Sequence, residues 1–170
     1  MRKFIFIGLA IILCSSCQEQ EKRYTQQSQE IETAKTLVKN YNERTYDSSL
    51  YADTSKTRYN SVEQSMSPLK AIAYHQANDT IFESRGFLLK DQEYEMVVTD
   101  DGETWVNCWL DWKGIIKESN QEVMVPIHLT YQFKEGKIVR EIGIWDNSAV
   151  MLAVQKMQAD KNMAAVEKGI

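Results

Sequence analysis

The strongest limit on what this chain can fold into is set between Glu122 and Trp145, where apolar side chains recur at every second position. Val123, Val125, Ile127, Leu129, Tyr131 and Phe133 make the first run, and Ile138, Ile142 and Ile144 continue it. A period of two belongs to the β-strand, whose successive side chains point to opposite faces. Between the runs stand Lys134, Glu135, Gly136 and Lys137, and Gly136 can supply the positive φ that a short hairpin loop needs. The stretch reads as two long strands folded back on each other. With Glu135 and Gly136 as the loop, regular pairing sets Phe133 opposite Ile138, Tyr131 opposite Arg140, Thr130 opposite Glu141, His128 opposite Gly143 and Pro126 opposite Trp145. One face then carries Val125, Ile127, Leu129, Tyr131, Ile142 and Ile144, and the other is mixed.

The rest of the chain supplies helices first and strands second. Ile31, Ala34, Leu37, Val38, Tyr41 and Thr45 fall at helical spacing within Glu30 to Tyr46, with charged and amide residues on the other side, which predicts an amphipathic helix with one face for a core. Leu50 to Ala52 suits a short second helix, and Asp53 to Tyr59 a loop or short strand. Ser67 is a good N-cap and Pro68 a good first helical residue, and Leu69, Ile72, Ala73, Ala77, Ile81 and Phe82 follow at helical spacing, with Gly86 as the stop. Beyond Gly86 the period changes. Tyr94 to Thr99 reads as a strand, Asp100 to Gly102 as a turn, and Glu103 to Ile116, rich in tryptophan, as a long strand. After Asp146 and Asn147 a short final helix is expected, decaying into a polar tail over 159–170. This order predicts an α+β fold.

The N-terminus predicts a cellular address. Met1-Arg2-Lys3, an apolar run from Phe4 to Leu13 and then Cys14-Ser15-Ser16-Cys17 have the layout of a secretory signal peptide over residues 1–16. The run falls short of the roughly 20 apolar residues of a membrane span. Ser16-Cys17 after it resembles a bacterial lipoprotein signal, with Cys17 as the lipidated first residue of the mature chain, although Cys14 stands where such signals more often carry leucine. Residues 17–28 are Gln, Glu, Lys, Ser and Thr with almost nothing apolar, which reads as a polar tether. The domain proper is expected over 29–158. Loss of Arg2 and Lys3 with the leader takes the formal charge from −4 to −6, and an acidic domain argues against nucleic acid as a partner. Cys108 is left without a disulfide partner.

The order of elements, with Tyr131-Gln132-Phe133-Lys134-Glu135-Gly136-Lys137-Ile138-Val139 and Ile144-Trp145-Asp146, resembles the nuclear transport factor 2-like superfamily, and within it the SnoaL-like polyketide cyclases and ketosteroid isomerases. The resemblance covers roughly Ile31 to Met157. It implies N-terminal helices packed in a strongly curved antiparallel sheet, a cone with a pocket between the concave face and the first helix. It further implies that Val139, Glu141, Gly143 and Trp145 on the last strand turn into that pocket, with Gln132, Thr130, His128 and Pro126 across the hairpin. SnoaL-like cyclases carry an acid/base aspartate where this chain has Gly143. The oxyanion aspartate of the isomerases matches His128, their base matches Tyr59, which cannot act as one near neutral pH, and their oxyanion tyrosine matches Tyr41.

These readings nominate His128 and Glu141 as a catalytic pair. A carboxylate beside an imidazole favours the protonated ring and tunes it as a general acid or base. Tyr41, Trp105, Trp109, Thr130 and Trp145 are the ligand-binding candidates, the tryptophans as walls for a flat apolar ligand. Which parity of Glu103 to Ile116 faces inward stays open: Trp105, Asn107, Trp109 and Asp111 give a polar pocket, and Val106, Cys108, Leu110 and Trp112 a greasy one. His75 and His128 lie on separate elements and make no metal set, and no phosphate loop is present, so neither metal nor cofactor is expected. The apolar face of the hairpin needs a cover, either helices or a second copy of the chain in a homodimer. The functional expectation is a membrane-anchored envelope lipoprotein that binds a small apolar ligand or an envelope partner, with a lyase or isomerase using His128 and Glu141 as the alternative.

Overall fold

The computed structural model describes residues 23–167. The expected leader, Cys17 and most of the expected tether lie outside the described residues, as do 168–170. In chain order the elements are β1 Tyr24–Thr25, α1 Gln29–Glu43, β2 Tyr51–Tyr59, α2 Pro68–Asn78, β3 Phe82–Phe87, β4 Glu93–Val98, β5 Thr104–Ile116, β6 Glu122–Lys134, β7 Lys137–Trp145 and α3 Ser148–Glu167. Among the described residues they form three helices and one sheet of seven strands, ordered β1-β4-β5-β6-β7-β2, with β3 also paired to β5. The chain is α+β. Its sheet is mixed rather than antiparallel throughout, because β2 runs parallel to β7.

The hairpin forms where the alternation places it, with Glu135 and Gly136 both at positive φ in the loop and Phe133 opposite Ile138. Its register then shifts. Gln132 pairs with Arg140 while Phe133 pairs with Ile138, so Val139 is an extra residue on β7, a bulge. Every pair beyond it moves by one: Tyr131 faces Glu141, Thr130 faces Ile142, His128 faces Ile144 and Ile127 faces Trp145. The expected pairs of Tyr131 with Arg140, Thr130 with Glu141, His128 with Gly143 and Pro126 with Trp145 do not form. Glu141, Gly143 and Trp145 therefore share a face with Leu129 and Tyr131, and His128 and Thr130 lie on the opposite face.

Four element assignments differ from the sequence reading. Leu50 to Ala52 starts no helix, and Tyr51–Tyr59 is a strand whose buried residues, Ser55 and Thr57, are polar. α2 ends at Asn78, and Phe82 to Phe87 leaves it as β3. Gly86 lies within β3, where the missing side chain admits Asn42, whose side chain bonds both the amide and the carbonyl of Phe87 at 2.7 and 2.9 Å. Tyr24 and Thr25, expected in the tether, pair with Val97 and Met96 at the sheet edge. α3 is long, running to Glu167 through most of the expected tail.

Two apolar clusters hold these elements together. In the first, Ile31, Ala34 and Val38 of α1 pack on Val106, Cys108, Leu110, Leu129, Tyr131, Phe133 and Ile138. In the second, Phe82, Trp112, Ile116, Val123 and Val125 pack with Ala153 of α3. The inner residues of β6, Val125, Leu129 and Tyr131, are thus covered by α1 and α3 of the same chain, whereas Ile142 and Ile144, expected on that face, lie on the opposite one with Thr130 and His128, where Ile144 is exposed. Ser28 caps α1 by accepting from the Ile31 amide, and Ser67 caps α2 in the same way from Lys70.

A buried cation ties the helices to β3. Arg85 donates to Asp79 Oδ1 at 2.5 Å, to the Tyr46 hydroxyl at 2.6 Å and to the Tyr41 carbonyl, and its guanidinium lies 3.9 Å from the centre of the Tyr41 ring. Removing one member of a buried ion pair leaves the other charge uncompensated. Arg85→Met is expected to lower unfolding free energy in urea by roughly 3 kcal/mol or more, and a loss below about 1 kcal/mol would show the pair to be solvated.

Candidate functional site

The inner face of β5 to β7, the apolar face of α1, β2, α2 and the start of α3 enclose a cavity of about 450 Å³. Each wall follows from a local rule. Helical spacing on α1 puts Tyr41 on the same side as Val38, facing in. The parity of β5 that points inward is the greasy one, Val106, Cys108, Leu110 and Trp112, because these pair with the inward residues Tyr131, Leu129, Ile127 and Val125 of β6. β7 brings in Glu141 and Trp145, with Gly143 between them.

Glu141 is 4% exposed, and every hydrogen-bond partner of its carboxyl group is a hydroxyl. Tyr51 and Thr57 donate to Oε2 at 2.9 and 3.1 Å, and Tyr59 donates to Oε1 at 3.0 Å. All three come from β2, whose parallel register sets Thr57 against Glu141 and Tyr59 against Gly143. A side chain at Gly143 would meet Trp145 and Tyr59, its Cβ falling 2.7 and 2.9 Å from their ring atoms, so its absence admits both rings. Burial raises the Glu141 pKa, and the Tyr51, Tyr59 and Thr57 hydroxyls oppose the rise. Burial and the neighbouring Glu141 charge raise Tyr51 and Tyr59 well above an ordinary tyrosine, so both stay protonated donors.

The network continues to α2. The Tyr59 hydroxyl lies 3.0 Å from His75 Nε2, so Tyr59 bridges an imidazole and a carboxyl group. With Tyr59 donating to Glu141, His75 donates from Nε2. Tyr46 stacks on the His75 ring at 6.0 Å, and Tyr41 meets it edge-on at 5.2 Å. The Tyr41 hydroxyl accepts from Trp112 Nε1 at 3.0 Å, which leaves its own proton to donate.

Of the residues nominated from sequence, Tyr41, Glu141 and Trp145 line this cavity. His128, Trp105, Trp109 and Thr130 do not. His128 packs against Trp109 on the outer face, ring centres 5.1 Å apart, and Trp109 is 43% exposed. Trp105 lies under the Arg140 guanidinium and donates to Glu103. Thr130 sits between Asn107 and Ile142 on that same face. The pairing of His128 with Glu141 is therefore overturned, and the bulge at Val139 is the cause. The sequence reading weighed His75 only as a metal ligand, gave Tyr51 and Thr57 no role in a site, and met Tyr59 only as a poor match for a base. A signal was present in the alternation Tyr51, Asp53, Ser55, Thr57, Tyr59, a strand period written in polar residues. Among the described residues no three His, Cys, Asp or Glu side chains gather as metal ligands.

The site has a pH signature. Burial first, and the Arg85 charge second, pull the His75 pKa down to about 4, whereas an unfolded histidine takes its proton near 6.5. Between these values the unfolded chain holds the extra proton, so the stability contributed by neutral His75 is full above pH 6.5 and is lost as the pH falls to 4. At about 1.4 kcal/mol per pH unit the loss is about 3 kcal/mol. Glu141 works in the opposite sense, its raised pKa favouring the fold below the ordinary glutamate value and disfavouring it as the pH rises through the folded one. In His75→Gln, the stability difference between pH 7 and pH 4.5, measured by urea unfolding, is expected to shrink by about 2–3 kcal/mol relative to wild type. An unchanged difference would place His75 in contact with solvent.

No protein-family model matches the chain, and no curated protein matches it significantly in sequence. Solved structures do match in shape. PrhC from Penicillium brasilianum superposes with a TM-score of 0.60 at 8% identity, over 81% of this chain and 93% of that one. A protein from Jannaschia sp. CCS1 described as a SnoaL-like polyketide cyclase gives 0.54 at 18%, over 79% and 94%. IdmH from Streptomyces antibioticus, a candidate polyketide cyclase, gives 0.55 at 15%, over 75% and 99%. At these identities the likeness is one of fold alone: the chain shares the fold of these polyketide cyclase-like structures and of a protein from Catenulispora acidiphila with a ketosteroid isomerase-like fold.

Proposed function

We propose that this chain is a membrane-anchored envelope lipoprotein whose cavity binds a flat, largely apolar small molecule. The observation that carries this reading is the make-up of the cavity wall. Aromatic and aliphatic side chains from eight elements enclose about 450 Å³, a volume within the range of small-molecule sites. Its polar groups converge in one region, where Glu141, Tyr59 and His75 are linked and Tyr41 has a proton to offer. Binding is favoured over turnover because Tyr51 and Tyr59 are held protonated and, by the resemblance, Gly143 stands where the cyclases carry their aspartate. A lyase or isomerase built on His128 and Glu141 has no geometric basis.

The anchor rests on the leader and Cys17 in the sequence, with a palmitoyl or similar chain on Cys17 facing the periplasm or the cell exterior. β1 joins the sheet at Tyr24, so the segment back to Cys17 spans at most about 25 Å when fully extended, which holds the sheet edge close to the lipid surface.

Two experiments test the reading. A ligand bound at about a hundred times its Kd adds about 2.7 kcal/mol of stability, enough to raise the melting temperature measurably, so a thermal-shift screen of flat aromatic compounds is expected to yield binders. Ala71→Leu, which extends a buried side chain of the lining, is expected to weaken those binders at least tenfold while the variant itself melts within a few degrees of wild type. Full affinity in a folded Ala71→Leu would place the ligand elsewhere. For the anchor, Cys17→Ser is expected to move the protein from the membrane fraction to the soluble one. A wild-type protein that fractionates as soluble and takes up no labelled palmitate would refute lipidation.

A further inference from the structure

The charge of the cavity wall narrows the ligand further, on the reading that the cavity is a small-molecule site. Among the described residues the lining contains no lysine and no arginine, and it contains two carboxyl groups, Asp47 and Glu141. Asp47 is exposed at the rim, where the Ser49 amide and hydroxyl hold its carboxyl below the usual range and therefore ionised. Glu141 is buried at the inner end, and among the described residues it forms no ion pair. The nearby buried cation, Arg85, is committed to Asp79, Tyr46 and the Tyr41 carbonyl.

A buried carboxylate without a counter-ion is expensive. A carboxylate accepts about four hydrogen bonds, and Glu141 receives three, two on Oε2 and one on Oε1, so Oε1 retains acceptor capacity. The rings around Tyr59 add a second feature. Trp145, His75 and Tyr74 lie 5.3, 5.4 and 5.9 Å from its centre, and all four line the cavity. Electron-rich ring faces beside a carboxylate favour a weakly hydrated organic cation. A metal ion is the poorer fit, because no set of three ligand side chains gathers among the described residues.

We propose that the cavity takes an organic ammonium ion carried on a flat apolar body, with the Glu141 carboxylate meeting the charge and the rings of Tyr59, Tyr74 and Trp145 surrounding it. Anionic ligands are excluded by the same wall, which among the described residues offers them two carboxyl groups and neither lysine nor arginine.

The test compares three probes with one body and three charges near neutral pH, namely 4-phenylbutylamine, 4-phenylbutanol and 4-phenylbutyrate, titrated calorimetrically into the purified full chain. The amine is expected to bind at least tenfold more tightly than the alcohol, and the butyrate more weakly than either. The preference is expected to survive 1 M NaCl within about threefold, because at a Debye length of about 3 Å an exposed rim charge is screened and a buried one is not. Glu141→Gln is expected to bring the amine level with the alcohol, while Asp47→Asn changes the amine by less than threefold. Equal binding of amine and alcohol by wild type overturns the ammonium assignment and leaves the cavity reading standing. A preference that salt abolishes overturns the role of Glu141, a result that needs no variant to fold. Failure of all three probes to bind, together with an empty thermal-shift screen, overturns the cavity reading and this inference with it.

Discussion

The site depends on one extra residue in β7. A strand has a period of two, so a register shift of one residue exchanges its two faces. Val139 introduces that shift two residues before Glu141. Before the bulge, Ile138 lies on the core face opposite Phe133, and after it Arg140 points outward over Trp105 while Glu141 points inward opposite Tyr131. In a regular hairpin with the same inner face on β6, Arg140 would enter the core and Glu141 would join the solvent side. The bulge therefore decides which charge the interior must accommodate.

Accommodating it falls to β2. A buried carboxyl group is tolerated when hydrogen bonds satisfy it, and the parallel pairing of β2 with β7 delivers Thr57 and Tyr59 to Glu141 at the pitch of the sheet, with Tyr51 reaching in from the start of the strand. Hydroxyls suit this task because each can donate to an ionised carboxylate or accept from a protonated one. Gly143 completes the arrangement, since a side chain there would occupy the space that the Tyr59 ring takes to reach both Glu141 and His75.

This division explains what could be read in the sequence. The apolar alternation of β6, the stripe on α1, the cap at Ser67 and the Glu135-Gly136 loop are all local signals, and each corresponds to an element of the fold. The bulge has no local signal: Ile138, Val139 and Arg140 are compatible with a regular strand, and the shift is set by which side chains fit the core. β2 was legible only as a loop or short strand over Asp53 to Tyr59, for a different reason. Its inward residues are Ser55, Thr57 and Tyr59, and a search for apolar periodicity takes a polar-faced strand for a loop. His75 was visible as a residue and not as part of a site, because its partners lie on β2 and β7, far along the chain. Sequence thus showed one half of the site, Glu141, Trp145 and Tyr41, and paired it with the wrong half.

The cavity lies where the two apolar clusters meet. Phe87 and Ile127 touch both, so the clusters are continuous along the sheet, and a chain selected for packing alone could fill the space between them with aliphatic side chains at native density. Here that space is bordered by tyrosines whose hydroxyls are directed at one carboxyl group, by a histidine kept neutral through burial, and by rings that meet at tilted or edge-on angles. Each buried polar group must be matched by another, and the matching fixes Tyr51, Tyr59 and His75 in place before any ligand arrives. Groups already held in one arrangement lose little further freedom on binding. The network that satisfies Glu141 within the fold thereby also holds the wall of the proposed ligand site in one arrangement.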